Sequence, residues 1–236
     1  MHLSLVIPAY NEAERIGATL THVQEYLEKQ DYSSEILVVD DGSTDETAQI
    51  VESSFHGIQV LRYEPNRGKG HAVQLGMLSA TGDHRVFFDA DASTPIEELE
   101  KMWPRFEDGA DVVIGSRALP ESKIEVHQPR YRSKMGEVFN FFVQLCGLRG
   151  IPDSQCGFKG FTSPAVQVVF PRQTIQRFSF DAELLYIAKK HGLRIDQIPV
   201  RWLNSPQTKV NAITDSSRML WDLLSIRFRD MAGRYA

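Results

Sequence analysis

Three observations predict an α/β fold with a mostly parallel sheet covered by helices on both faces. Short apolar runs alternate with segments of helical spacing from the N-terminus to residue 117. The strands feed polar residues (Asp40-Asp41, the 66–70 loop, Asp89 and Asp91, Arg117), and in a parallel sheet such strand ends share one edge, where open α/β sheets bind ligands. The 236-residue chain is 42% apolar, enough for a sizeable core, yet no stretch reaches the ~18 apolar residues of a membrane span.

Leu3 to Ile7 is the first apolar run, closed by Pro8-Ala9-Tyr10-Asn11. Asn11 is placed to cap the next helix, with Glu14 as its capping-box partner, and that helix carries Ile16, Leu20, Val23 and Leu27 on one face. Ile36 to Val39 reads as a second strand and Thr44 to Phe55 as a helix. A third strand starts at Ile58, and the loop Pro65 to Gly70 leads into a helix from His71 to Ala80. Arg85 to Phe88 and Val112 to Ile114 are the fourth and fifth strands.

The second half changes character. Residues 118 to 129 read as a mobile loop, and Val138 to Leu148 is rich in Phe and Leu behind Arg130, Arg132 and Lys134. Asp153 to Phe161 reads as a polar, glycine-containing segment. Phe180 to Lys190 is a helix with Asp181 and Glu183 in its first turn, where the macrodipole favours them. Ile195 to Trp202 alternates like a strand, Asn204 to Asn211 is a loop, and a last helix spans about 214 to 230.

Several function classes are disfavoured. A net charge of −5 gives no footprint for nucleic acid. Cys146 and Cys156 have no metal-ligand or disulfide spacing, so a reduced cytosolic setting is the simplest reading. No signal peptide is visible ahead of the first strand. No G-x-G-x-x-G follows that strand, and Gly68-Lys69-Gly70 lacks the remaining residues of a P-loop.

Asp89 and Asp91 are the centre of the pattern. Two hard oxygen donors one residue apart at a strand end suit Mg²⁺ or Mn²⁺ held between protein and a diphosphate. The blander reading is a polar turn in which Ser93 or Thr94 caps a helix starting at Pro95.

The motifs Val6-Ile7-Pro8-Ala9-Tyr10-Asn11-Glu12, Val39-Asp40-Asp41-Gly42-Ser43, Asn66-Arg67-Gly68-Lys69-Gly70 and Asp89-Ala90-Asp91 stand in an order and spacing that resembles inverting glycosyltransferase family 2. Residues 153–159 and 180–188 resemble the branch of dolichyl-phosphate β-glucosyltransferases closely, and dolichyl-phosphate mannose synthases more loosely. The resemblance implies a single GT-A domain over 1–236, with a nucleotide-sugar-binding half (1–117) and an acceptor-binding half (118–236). It implies inverting transfer of glucose from UDP-glucose to a polyprenyl (dolichyl or undecaprenyl) phosphate, with Mg²⁺ or Mn²⁺ as cofactor. GDP-mannose is the alternative donor, and a haloacid dehalogenase-like phosphatase is a remote alternative suggested by the Asp-x-Asp after a strand.

By the same resemblance Pro8, Tyr10 and Glu12 line the nucleotide pocket. Asp41, more than Asp40, accepts from the uracil N3–H. Lys69 approaches the diphosphate. Asp91 binds the metal, with Asp89 and the intervening Ala90 beside it. Arg117 and Arg132 grip the acceptor phosphate, where a guanidinium fork fits paired oxygens. Gln155, Lys159 and Asp181 border the donor sugar, and Lys209 closes over the diphosphate. Asp153 and Asp181 are the carboxylates left over for a general base. Segments 130–148 and 214–229 pair basic with large apolar residues, as interfacial helices do, so peripheral attachment to the cytoplasmic face of a membrane is expected.

Overall fold

The structure is a computed structural model, described for residues 2–125, 140, 142–144, 147–203 and 214–236, with backbone alone for 214–220. Strand β1 (His2–Ala9) lies at its heart, paired in parallel with β2 (Ser33–Asp40) on one side and β4 (His84–Phe88) on the other. Leu3 to Ile7 are all buried, Ser4 included, which explains the mostly apolar run: a parallel strand covered on both faces has no solvent side to mark with alternating polar residues. β3 (Ile58–Arg62) extends the sheet beyond β2.

On the other side, β7 (Phe158–Thr162) is inserted antiparallel between β4 and β5 (Val112–Ser116), and β8 (Ile195–Pro199) forms the far edge. The seven-stranded order is β3-β2-β1-β4-β7-β5-β8. A two-stranded sheet pairs β6 (Lys123–Ile124) with β9 (Arg201–Trp202).

Side chains that alternate along the strands feed two cores. Leu5, Ile7, Val38 and Phe88 face α1 (Ile16–Leu27), α2 (Thr47–Ser54) and the 96–107 region, made of a 3₁₀ turn (Ile96–Lys101) and α4 (Trp103–Glu107). Val6, Leu37, Val39 and Phe87 face α3 (Lys69–Ser79), α5 (Ser163–Val169), α6 (Phe180–Lys190) and α7 (Thr214–Met231). Among the described residues, no helix is long and apolar enough to cross a membrane.

Three sequence expectations need correction. Residues 158–162 form a strand and not a polar segment. Lys159 and Gly160 hid it, one because its charge is neutralised inside the protein and the other because a Cβ there would meet the Phe106 ring at 2.9 Å. Asn11 does not cap α1, which begins at Ile16 without a side-chain cap. Asn11 sits at φ 52° and its Oδ1 accepts from the Thr44 N–H at 2.8 Å, tying the end of β1 to the loop after β2. Neither Ser93 nor Thr94 caps the 3₁₀ turn after Pro95.

Candidate active site

The register sets the site. Ala9 is level with Asp40, and Val6 is level with Phe87, so Tyr10, Asp41 and Asp89 emerge together along one edge of β1, β2 and β4. The antiparallel β7 brings a second group of residues to the same edge, since Phe88 lies across from Phe158 and the Asp89 N–H donates to the Gly157 carbonyl at 3.2 Å.

Asp89 and Asp91 flank a pinned turn. Ala90 is buried, and its carbonyl accepts from Thr19 Oγ1 of α1 at 2.8 Å. Ala92 adopts φ 49°, which turns the chain back so that its N–H reaches the Asp89 carbonyl at 3.0 Å. Asp89 pairs with Lys69 at 2.5 Å. Asp91 Oδ1 accepts only the Ser93 N–H, at 3.0 Å, leaving the rest of that carboxylate without a partner among the described residues.

Burial raises the Asp89 carboxyl above its ordinary value; Lys69 pulls against that rise, while Asp91 and Asp181 add to it. Burial alone would lower the Lys69 ammonium, but Asp89, Asp181 and Asp91 outweigh it, so Lys69 is held charged. Lys69 also opens α3, whose N-terminal amides favour anions. A lone pair of carboxylates facing a fixed cation and a helix N-terminus suits a metal–diphosphate pair.

Among the described residues, no group of three or more His, Cys, Asp or Glu is arranged to hold a metal ion. Mg²⁺-type binding draws on one or two carboxylates and completes its shell with substrate phosphates and water. The half-open Asp91 fits as a direct ligand, with Asp89 beside it.

The loop before α3 hangs on Asp41. Its Oδ1 accepts from Tyr63 Oη at 2.9 Å and the Arg67 N–H at 2.7 Å, and its Oδ2 accepts from Asn66 Nδ2 at 2.8 Å and the Gly68 N–H at 2.9 Å. Asp41 is buried, its carboxylate oxygens are taken up by these donors, and it anchors the loop that carries Lys69. Gly68 is at φ 108°, and a Cβ there would meet the Gln176 carbonyl at 2.6 Å, so only glycine lets this loop lie against residues 175–177. Asp40 is fully buried; its Oδ1 accepts the Ser43 N–H at 3.1 Å, and its Oδ2 lies 3.3 Å from Arg62 Nε.

Other expected residues differ in burial and partners. Pro8 is buried inside β1, while the Tyr10 ring stands exposed at the rim. Glu12 is buried and bound by Arg15 through both Nε and Nη2. Lys159, expected beside the donor sugar, is fully buried, and its ammonium is 2.5 Å from both Asp181 Oδ1 and the Cys156 carbonyl. Asp181 is buried with it. Arg117 directs its fork at Asp153, with Nε at 2.7 Å from Oδ2 and Nη2 at 2.8 Å from Oδ1, while its guanidinium lies over the Trp202 ring. Nη1 is its one nitrogen with no partner among the described residues. Gln155 is half-buried with no side-chain hydrogen bond among them. Arg132 and Lys209 lie outside the described residues.

Two contributors were missed in the sequence. Gly157 lies against the Asp89 carboxylate, and Thr19 holds Ala90 from α1. Cys156 is buried, its thiol pushed up to about 11 by that burial, which disfavours the thiolate that a nucleophile needs.

This arrangement can be set against known proteins. The profile of "Glycosyl transferase family 2" matches residues 4–170. The chain belongs to that family. It is similar to a dolichyl-phosphate beta-glucosyltransferase of Trichomonas vaginalis, 35% identical over 99% of this chain and 73% of the relative. The human dolichyl-phosphate beta-glucosyltransferase is 32% identical over 99% of this chain and 77% of its own. Among solved structures, the fold resembles glucosyl-3-phosphoglycerate synthase from Mycobacterium tuberculosis in complex with UDP, with TM-score 0.72 and 19% identity over 95% of this chain and 79% of that one. It also resembles mannosyl-3-phosphoglycerate synthase from Rubrobacter xylanophilus, with TM-score 0.73 and 23% identity over 99% and 75%. The protein is a glycosyltransferase with the expected GT-A architecture. Membership of this family leaves no place for the phosphatase reading.

Proposed function

We propose that this protein transfers glucose from UDP-glucose to a polyprenyl phosphate, dolichyl or undecaprenyl, with inversion at C1, giving the β-linked lipid phosphosugar and UDP. Relatives at 32–36% identity over nearly the whole chain carry the name dolichyl-phosphate beta-glucosyltransferase, which supports both the sugar and the acceptor class. Mg²⁺ or Mn²⁺ is the cofactor of this reading, supported by a solved relative of the fold crystallised with Mn²⁺ and UDP.

The observation that carries the acceptor is the fate of the spare carboxylates. A hydroxyl acceptor must lose a proton as it attacks, so it needs a positioned base. Asp153 is locked to Arg117 and Asp181 to Lys159. Both carboxylates that the sequence offered as a base are thus held in ion pairs. A phosphate monoester needs no base, because its second pKa is ~6 and it is already an anionic nucleophile near neutral pH.

In this mechanism Asp91, assisted by Asp89, anchors the divalent ion, which when bound neutralises charge developing on the leaving UDP. Lys69 exchanges its contact with Asp89 for the diphosphate, helped by the N-terminus of α3. Tyr10 offers a ring face to the base. Gln155 borders the sugar. Arg117 through Nη1, with Arg132 and Lys209, completes the phosphate contacts. The acceptor half, residues 118–236, attaches to the cytoplasmic face of the membrane.

Thermal shifts with UDP, GDP and their sugars, with and without Mn²⁺, test the donor. Metal-dependent stabilisation by UDP and UDP-glucose is expected. Stabilisation by GDP-mannose alone would move the assignment to mannosyl transfer.

A further inference from the structure

A cleft of about 440 Å³ opens between the loop before α3, residues 174–177 and α7, and three arginines line it: Arg67, Arg177 and Arg229. In a chain of net charge −5, three guanidinium groups around one opening form a local reversal of sign. Arg229 is partly committed, donating to Thr174 Oγ1 at 2.7 Å and lying 3.6 Å from Glu183. Arg67 lies over the Tyr63 ring and contacts His71. Arg177 is exposed and makes no ion pair among the described residues. Asp222 is the one acid in the lining.

The same helix carries a second unusual surface. Trp221 is 68% exposed, Leu224 44%, Phe228 66% and Met231 83%, although Leu223 and Ile226 beside them are buried in the core. Positions 221, 224, 228 and 231 fall on one helical face. Asp222 and Arg229, which line the cleft, lie one residue past Trp221 and Phe228, roughly 100° around the helix. A large apolar ridge therefore borders a basic cleft, the combination that interfacial helices present to anionic bilayers.

We propose that this cleft receives the phosphate of an anionic membrane phospholipid while the ridge of Trp221, Leu224, Phe228 and Met231 enters the adjoining acyl layer. The inference builds on the reading of the protein as a transferase with a lipid-linked acceptor, and it assigns the membrane contact to a surface apart from Asp89 and Asp91. The loop that carries Arg67 also carries Lys69, so the bound lipid abuts the segment that faces the donor diphosphate.

Co-sedimentation with phosphatidylcholine vesicles, with and without phosphatidylglycerol at one ionic strength, is the test. The protein should partition more strongly to the anionic vesicles. Arg177→Gln should remove about five-fold of that partition, the effect of one basic residue near an anionic surface, and leave binding to neutral vesicles unchanged. Phe228→Ser should weaken binding to both vesicle types, by roughly ten-fold. Glucose transfer to acceptor dispersed in detergent should be the same in Arg177→Gln as in the parent. Unchanged partition of Arg177→Gln would overturn the lipid site. So would a raised KM for either substrate in detergent, which would make the cleft part of the transfer site. Loss of the Arg177-dependent binding on adding inorganic phosphate, at matched ionic strength, would identify a free-phosphate site instead. Vesicle binding without any glucose transfer would defeat the functional reading and leave this one standing.

Discussion

Gly157 presents a bare Cα to the carboxylate of Asp89: a Cβ there would lie 1.9 Å from Oδ2 and 2.2 Å from Cγ. The contact exists because β7 runs antiparallel beside β4 and delivers its first residues to the point where Asp89 leaves the sheet. Gly157→Ala must therefore displace the carboxylate or the strand. We predict a fall in kcat of roughly ten-fold or more, since small misplacements at a reacting centre are costly, with a melting temperature lowered only modestly. An alanine variant of unchanged kcat would show that the placement of Asp89 is unimportant for transfer.

Asp91→Asn separates ligation from folding. Asp91 accepts one hydrogen bond from Ser93, which an amide oxygen can also accept. Stability should stay within about 0.5 kcal/mol of the parent, as for substitutions away from buried networks, while transfer is largely lost because an amide is a poorer ligand for a hard cation. Near-normal turnover at saturating Mn²⁺ would remove Asp91 from the metal site.

Asp41→Ala distinguishes a loop anchor from a base contact. The carboxylate holds Tyr63, Asn66 and the amides of Arg67 and Gly68, so its removal leaves several donors unsatisfied. A loss of roughly 2–4 kcal/mol in stability is expected, together with a raised KM for the donor as Lys69 loses its support. A variant of parental stability that binds UDP weakly would instead restore Asp41 to the base.

The Arg117–Asp153 pair predicts an acid-side loss of stability. Burial would raise the Asp153 carboxyl, but the charge and hydrogen bonds of Arg117 outweigh it and hold the group down at about 2, against 3.8 unperturbed. A depressed folded value contributes stability above the unfolded pKa, and that contribution fades as pH falls from 3.8 towards about 2. Its size is roughly 2 kcal/mol. In Asp153→Asn, urea denaturation should be less pH-dependent over this window than in the parent. Parallel pH profiles would exclude the pair as the source.

The central strands were legible because parallel strands buried on both faces leave mostly apolar runs, as Leu3 to Ile7 and Val86 to Phe88 do. The polar strand ends placed Asp89 and Asp91 correctly, since strand direction alone fixes their edge. β7 was not legible: Lys159 in a buried strand makes sense only once Asp181, 22 residues on, is seen to neutralise it. The anchoring role of Asp41 was hidden for a related reason. A carboxylate at a strand end looks free in sequence, and its partners at 63–68 become visible only when the loop folds back. The support of Asp89 by Gly157 rests on a strand pairing across more than sixty residues, which local pattern does not encode.

The most direct measurement of the central claim is transfer of labelled sugar into lipid product. The purified protein with Mn²⁺ would be given UDP-glucose or GDP-mannose, each with polyprenyl phosphate or the free polyprenol, and the anomeric linkage read by NMR. The account predicts glucose transfer from UDP-glucose to the phosphate alone, with a β linkage and a rate that rises through the acceptor's ionisation near pH ~6 and then levels. Efficient transfer to the free polyprenol, an α-linked product, or transfer only from GDP-mannose would contradict it.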